Sequence, residues 1–97
     1  MAKLIFEIWE CKDGHSFECS SVGEHADKLR IAICPSAELL FAFSAVTDHE
    51  AAQKNYNFHG FGTYDPGDFP DRRFTDEEER EQQKYLTLRA CQTAGSG

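Results

Sequence analysis

The chain is predicted to be an α+β protein. The expected architecture is two-layered, with a three-stranded antiparallel sheet in the order 2-1-3 and elements in the order ββαβα. Two helices lie on one face, followed by an acidic, partly helical C-terminal extension. Three observations carry this. Asp13-Gly14 separates two runs of strand composition. Helically spaced apolar residues lie between the second run and a third. A Thr47-x-x-Glu50 signature opens a further helix that meets Gly60.

The first run, KLIFEIWEC, is rich in β-branched and aromatic residues, and SFECS alternates apolar with polar. Asp-Gly is a strong hairpin signal, because both central positions of a type I′ turn favour positive φ. That turn sets Phe17 opposite Glu10, Cys19 opposite Ile8 and Cys11 opposite Ser16. Side chains alternate along a strand, so Leu4, Phe6 and Ile8 share one face with Phe17 and Cys19. Ile5, Glu7, Trp9 and Cys11 share the other.

In SVGEHADKLRIAIC, Ala26, Leu29, Ile33 and Ala32 fall on a helical face, and Pro35 ends the helix. AELLFAFSAV reads as the third strand, with Leu39, Phe41 and Phe43 on one face and Leu40, Ala42 and Ser44 on the other. The next helix begins at a capping box, in which Thr47 accepts the Glu50 amide and Glu50 reaches back to the Thr47 amide. Gly60 is the expected left-handed stop. The first strand takes the centre of the sheet, the third runs antiparallel to it, and both helices are expected over the Leu4/Phe6/Ile8 face.

Residues 1–64 are read as the core domain, 65–90 as the acidic extension with a short helix, and 91–97 as a disordered tail. From Asp65 to Lys84 there are eight acids and four bases. Thr75 and Glu78 repeat the capping-box signature. That helix has little apolar face, so it is either loosely docked or solvated.

With 17 acids against 10 bases the net charge is −7. Such a surface repels phosphate backbones, so no nucleic-acid partner is expected. No apolar run approaches the roughly 20 residues needed to span a bilayer, so no membrane partner is expected either. The N-terminus reads as a strand and not a signal peptide, which makes the cytoplasm the expected location and reduced thiols the expected state of Cys11, Cys19, Cys34 and Cys91. The Cys11-x3-His15-x3-Cys19 spacing invites a zinc reading. However, the hairpin register puts the two cysteines on opposite faces, so neither metal nor cofactor is expected.

The segment Ala37–Pro66 resembles a pattern in small bacterial proteins: a strand, a Glu-Ala-containing capped helix, then Gly-x-x-Tyr-x-Pro. The matching residues include Leu39, Phe43, Ala45, Glu50, Ala51, Tyr56, Gly60, Gly62, Tyr64 and Pro66. The likeness implies a fold and carries no activity.

The leading functional reading is a non-catalytic interaction or regulatory module. Its working surface would be the sheet face bearing Ile5, Trp9 and Leu40, or the acidic arm. That face is more apolar than water requires. The C-terminal segment, through Phe69, Phe74, Tyr85, Leu86 and Leu88, a second copy in a homodimer, or another protein would cover it. The second reading is a small-molecule or catalytic site at the end of the second helix, with His59 and Asp65 as acid and base and Tyr64 as a ring wall. Cys34 with His59 is the Cys-His pair to inspect. The third is an acidic mimic of nucleic acid.

Overall fold

The computed structural model describes residues 1–95. Its elements are β1 (Leu4–Cys11), β2 (Ser16–Ser21), α1 (Glu24–Ile33), β3 (Glu38–Ala45), α2 (Asp48–His59) and α3 (Asp76–Gly95). The sheet is antiparallel, with strand order β2-β1-β3. The hairpin register is the expected one, with Glu10 opposite Phe17, Ile8 opposite Cys19 and Cys11 opposite Ser16. The turn chemistry differs. Among the described residues, His15, at φ 52°, is the non-glycine residue with positive φ, and Gly14 is not in the left-handed region. The reversal is therefore a four-residue loop between paired Cys11 and Ser16, closed by a left-handed His15, and not a two-residue type I′ turn.

On one face, Leu4, Ala45, Ala51 and Phe74 form the buried cluster, with Phe6 and Phe43 packed against it. The Phe6 and Phe43 rings stack at 5.4 Å across the β1–β3 pair. α2 covers this face. Thr47 Oγ1 accepts the Glu50 amide at 3.1 Å, and Gly60 ends α2 in the left-handed conformation at φ 74°. The Glu50 carboxylate reaches back one residue further than expected, to the Val46 amide at 2.6 Å.

Two helices do share a sheet face, but they are α1 and α3, not α1 and α2. The Arg30 guanidinium lies 3.7 Å from the Trp9 ring centre, and Cys34, the C-cap of α1, is bonded to Cys11. Both contacts fall on the face opposite Phe6. The reason is electrostatic: α1 buries Asp27 and Arg30, while Leu29, Ile31 and Ile33 face water. A β-bulge between the Ile8 and Trp9 pairings sets Leu39 opposite Trp9, so Leu39 leaves the Phe41/Phe43 face on which alternation placed it.

The C-terminal segment is built into the same core. The Phe74 amide bonds the Val46 carbonyl at 3.0 Å and the Asp48 amide bonds the Arg72 carbonyl at 3.1 Å, adding a short rung beyond β3. Thr75 and Glu78 complete a reciprocal capping box, at 2.9 and 3.1 Å. α3 continues to Gly95 instead of stopping near residue 90; residues 96 and 97 of the expected tail lie outside the described residues.

Candidate functional site

β3 is an edge strand, and the surface beside it is aromatic. Beginning in the core, Phe74 touches Phe6 at 5.8 Å, Phe6 stacks on Phe43, and Phe43 meets Phe41 at 6.2 Å. Phe41 stacks on Phe58 of α2 at 5.3 Å. His59 follows, with its ring 5.1 Å from Phe58, 4.9 Å from Phe17 and 4.9 Å from Phe61. The array leaves the core and ends in water: Phe41 is 45% exposed, Phe17 52% and Phe61 64%. Between β3 and α2 lies a groove of about 440 Å³ lined by Phe41, Phe43, Lys54, Asn57 and Phe58.

The edge itself is partly occupied. Lys54 Nζ donates to the Ser44 carbonyl at 2.7 Å, and the 72–74 rung covers the strand's far end. On its outer side, away from β1, the stretch from Leu39 to Ala42 has no neighbouring strand. The Ile5 carbonyl bonds the Val22 amide, so odd positions of β1 bond towards β2 and even positions towards β3. Phe41 and Phe43 therefore use their peptide groups inward, and those of Ala42 point out.

The residues expected at the end of α2 do not converge. His59 is held by the three phenylalanines above. Tyr64 lies 5.2 Å from Tyr56 and 6.0 Å from His49, with its amide donated to Gln53 Oε1 at 2.9 Å. Asp65 accepts its own turn's Gly67 amide at 2.9 Å. Phe61 and Tyr56 separate His59 from Tyr64 in the ring sequence. Acid, base and ring wall thus each take different partners.

The Trp9 face is occupied by charge. Arg89 of α3 donates to both oxygens of Glu7, at 3.0 and 2.9 Å, and approaches Asp27 at 3.2 Å. Asp27 also accepts from Arg30 at 2.8 Å and from the Tyr85 hydroxyl. Trp9 Nε1 donates to Glu7 at 3.0 Å. Gln82 fills the gap where β2 ends, accepting the Ile5 amide at 2.7 Å and donating to the Ile5 and Val22 carbonyls at 2.9 and 3.0 Å. Of the expected covering residues, Tyr85 contributes through its hydroxyl. Phe74 packs on the opposite face, and Phe69 and Leu88 are exposed. Ile5 and Trp9 are half-buried, and Leu40 stands on the open edge.

Cys11 and Cys34 are joined, with Cα atoms 6.1 Å apart, so the expectation of reduced thiols fails for this pair and Cys34 is not free to work with His59. Cys19 and Cys91 are free. Burial, and then the Glu18 charge, push the Cys19 thiol above its ordinary value. The sequence could not have signalled the disulfide, because it depends on α1 lying on the Trp9 face. No helix among the described residues is long and apolar enough to cross a membrane. No family model, curated protein or solved structure matches the chain.

Proposed function

We propose that the chain is a small non-catalytic interaction module that pairs through the open edge of β3 and the aromatic groove beside it, with a second copy as the occupant. The observation that carries this reading is where the apolar side chains lie. Among the described residues twelve large hydrophobic residues are exposed; of these, Phe41 of β3 and Phe58 of α2 stack on each other, and Leu40 is the next residue along the edge strand. Among the described residues the fully enclosed large side chain is Ile8, at 0%. An exposed patch of this kind beside an unpaired edge is a docking surface for another strand.

The strand's ends favour its own copy. Glu38, which pairs with Lys12 at 3.0 Å, begins β3, and Lys54 sits over the Ser44 carbonyl near its other end. Antiparallel pairing about a two-fold axis brings each Glu38 towards the partner's Lys54. The net charge of −7 on each copy opposes association over longer range. Salt screens that repulsion, so the pairing strengthens as ionic strength rises, which a charge-driven contact would not do.

Light scattering at two protein concentrations, in low and high salt, tests this. The expected result is a concentration-dependent dimer favoured by salt. Ala42→Pro, which removes an outward amide that the fold does not use, and Phe41→Ser should each return the protein to monomer with its circular dichroism intact. A wild-type chain that stays monomeric throughout, or an Ala42→Pro variant that dimerises equally well, overturns the reading.

A further inference from the structure

We propose that Cys11, Cys34 and Asp13 form a redox-gated site for a thiophilic divalent cation of the Zn²⁺ class, closed by the disulfide and opened by its reduction. The three side chains come from the end of β1, the reversal after it and the C-cap of α1. Their two sulfurs and a carboxylate oxygen lie within 4.8 Å of one another. Asp13 is oriented: its Oδ2 accepts from Ser36 Oγ at 3.2 Å, and that hydroxyl lies 3.6 Å from Cys34 Sγ. A pocket of about 340 Å³ between α1 and the hairpin is lined by both cysteines and gives access to them.

The chemistry of the trio depends on its redox state. Beside a disulfide, which is uncharged, the Asp13 carboxylate meets no repulsion. Reduction by a dithiol transfers two electrons and two protons. The reductant's sulfurs become a disulfide, and Cys11 and Cys34 become thiols. A divalent cation displaces the two thiol protons to solvent and meets three negative charges. Two sulfurs and one oxygen suit Zn²⁺ and not Mg²⁺ or Ca²⁺, which prefer oxygen throughout, and a water completes the tetrahedron. Sulfurs bound at about 2.3 Å to one Zn²⁺ stand about 3.8 Å apart, a spacing that side-chain rotation provides with the Cα atoms 6.1 Å apart.

The consequence is mechanical. α1 turns Leu29, Ile31 and Ile33 to solvent, and its C-terminal end is held to the sheet by the Cys11–Cys34 link. A reducing compartment removes that link, and the cation restores it through the same two sulfurs.

The test uses the full chain carrying Cys19→Ala and Cys91→Ala, so that no other thiol competes. Co²⁺ is the spectroscopic probe. The reduced protein should bind one equivalent, with a thiolate-to-cobalt charge-transfer band and the visible bands of a tetrahedral site, and Zn²⁺ should bleach both. The oxidised protein should give neither. Asp13→Asn, a substitution the turn tolerates, should weaken binding about tenfold or more. If the reduced chain loses helicity, the metal should restore it. A reduced protein without the charge-transfer band, helicity lost and not regained with metal, or an Asp13→Asn variant of undiminished affinity overturns the site.

Discussion

Tyr85 reaches from α3 to α1, where its hydroxyl donates to Asp27. Burial raises its pKa first, then the hydrogen bond to Asp27 and the charge of that carboxylate, and Arg89 opposes them; the result is pushed up to about 12. An unfolded tyrosine loses its proton near pH 10. Between pH 10 and about 12 the unfolded chain therefore binds fewer protons than the folded one, and stability falls as pH rises through that window. Below pH 10 the contribution is fully present. Phenolate absorbance during an alkaline titration should reveal one of the three tyrosines titrating late, and Asp27→Asn should bring it earlier. A titration with no late tyrosine would sink this account. At the same scale, the strand faces were legible because alternation follows from the backbone alone, and Phe6 and Trp9 do point to opposite sides. His15 was not legible. The Asp13-Gly14 pair specifies a reversal, but the left-handed residue fell one position later, where loop length and not residue preference decides it.

The placement of α1 was decided by pairs of residues on different elements. Its apolar positions, Ala26, Leu29 and Ile33, pointed to a hydrophobic face, yet the residues it buries are Asp27 and Arg30. A buried carboxylate is tolerable only where cations and donors meet it. Arg89 lies 62 residues away in sequence, and no spacing rule could have joined the two. The same holds for Gln82, whose amide stands in for a missing strand beside Ile5. The capping boxes and the Gly60 stop were legible because their partners are three or four residues apart. The candidate docking surface was legible only in part: Leu40 was singled out, but Phe41 was placed on the helix-covered face, because the sequence does not say how little of α2 overlies β3. Arg89→Ala should cost about 3 kcal/mol, since it strips a bidentate cation from Glu7 and a second contact from Asp27. Urea unfolding measures the loss, and Glu7→Gln in the same chain should recover part of it by removing the charge left behind. A loss below about 1 kcal/mol, the range of an exposed pair, would mean that the network is solvated and does not hold α3.

For the molecule as a whole, the question is whether residues beyond Tyr64 are an appendage or a structural layer. A chain of 97 residues has little apolar surface to spare for its core, and part of that core is Phe74. Removing residues 65–97 would take Phe74 off Phe6, the 72–74 rung off the end of β3, Gln82 off Ile5 and Arg89 off Glu7. Glu7, buried in the full chain, would then lose its bidentate partner while Trp9 stayed above it. A fragment of residues 1–64 is therefore expected to lack a cooperative urea transition and near-ultraviolet circular dichroism, and to bind a hydrophobic dye. Adding back a synthetic peptide of residues 65–97 should restore part of the near-ultraviolet signal, because the peptide supplies the missing rung, ring and guanidinium together. A fragment that unfolds cooperatively and stays monomeric without the peptide would show that the sheet and its first two helices suffice. The charged layer over Trp9 would then be a covering and not a support, and the loss assigned to Arg89 would have to come from local fraying of α3.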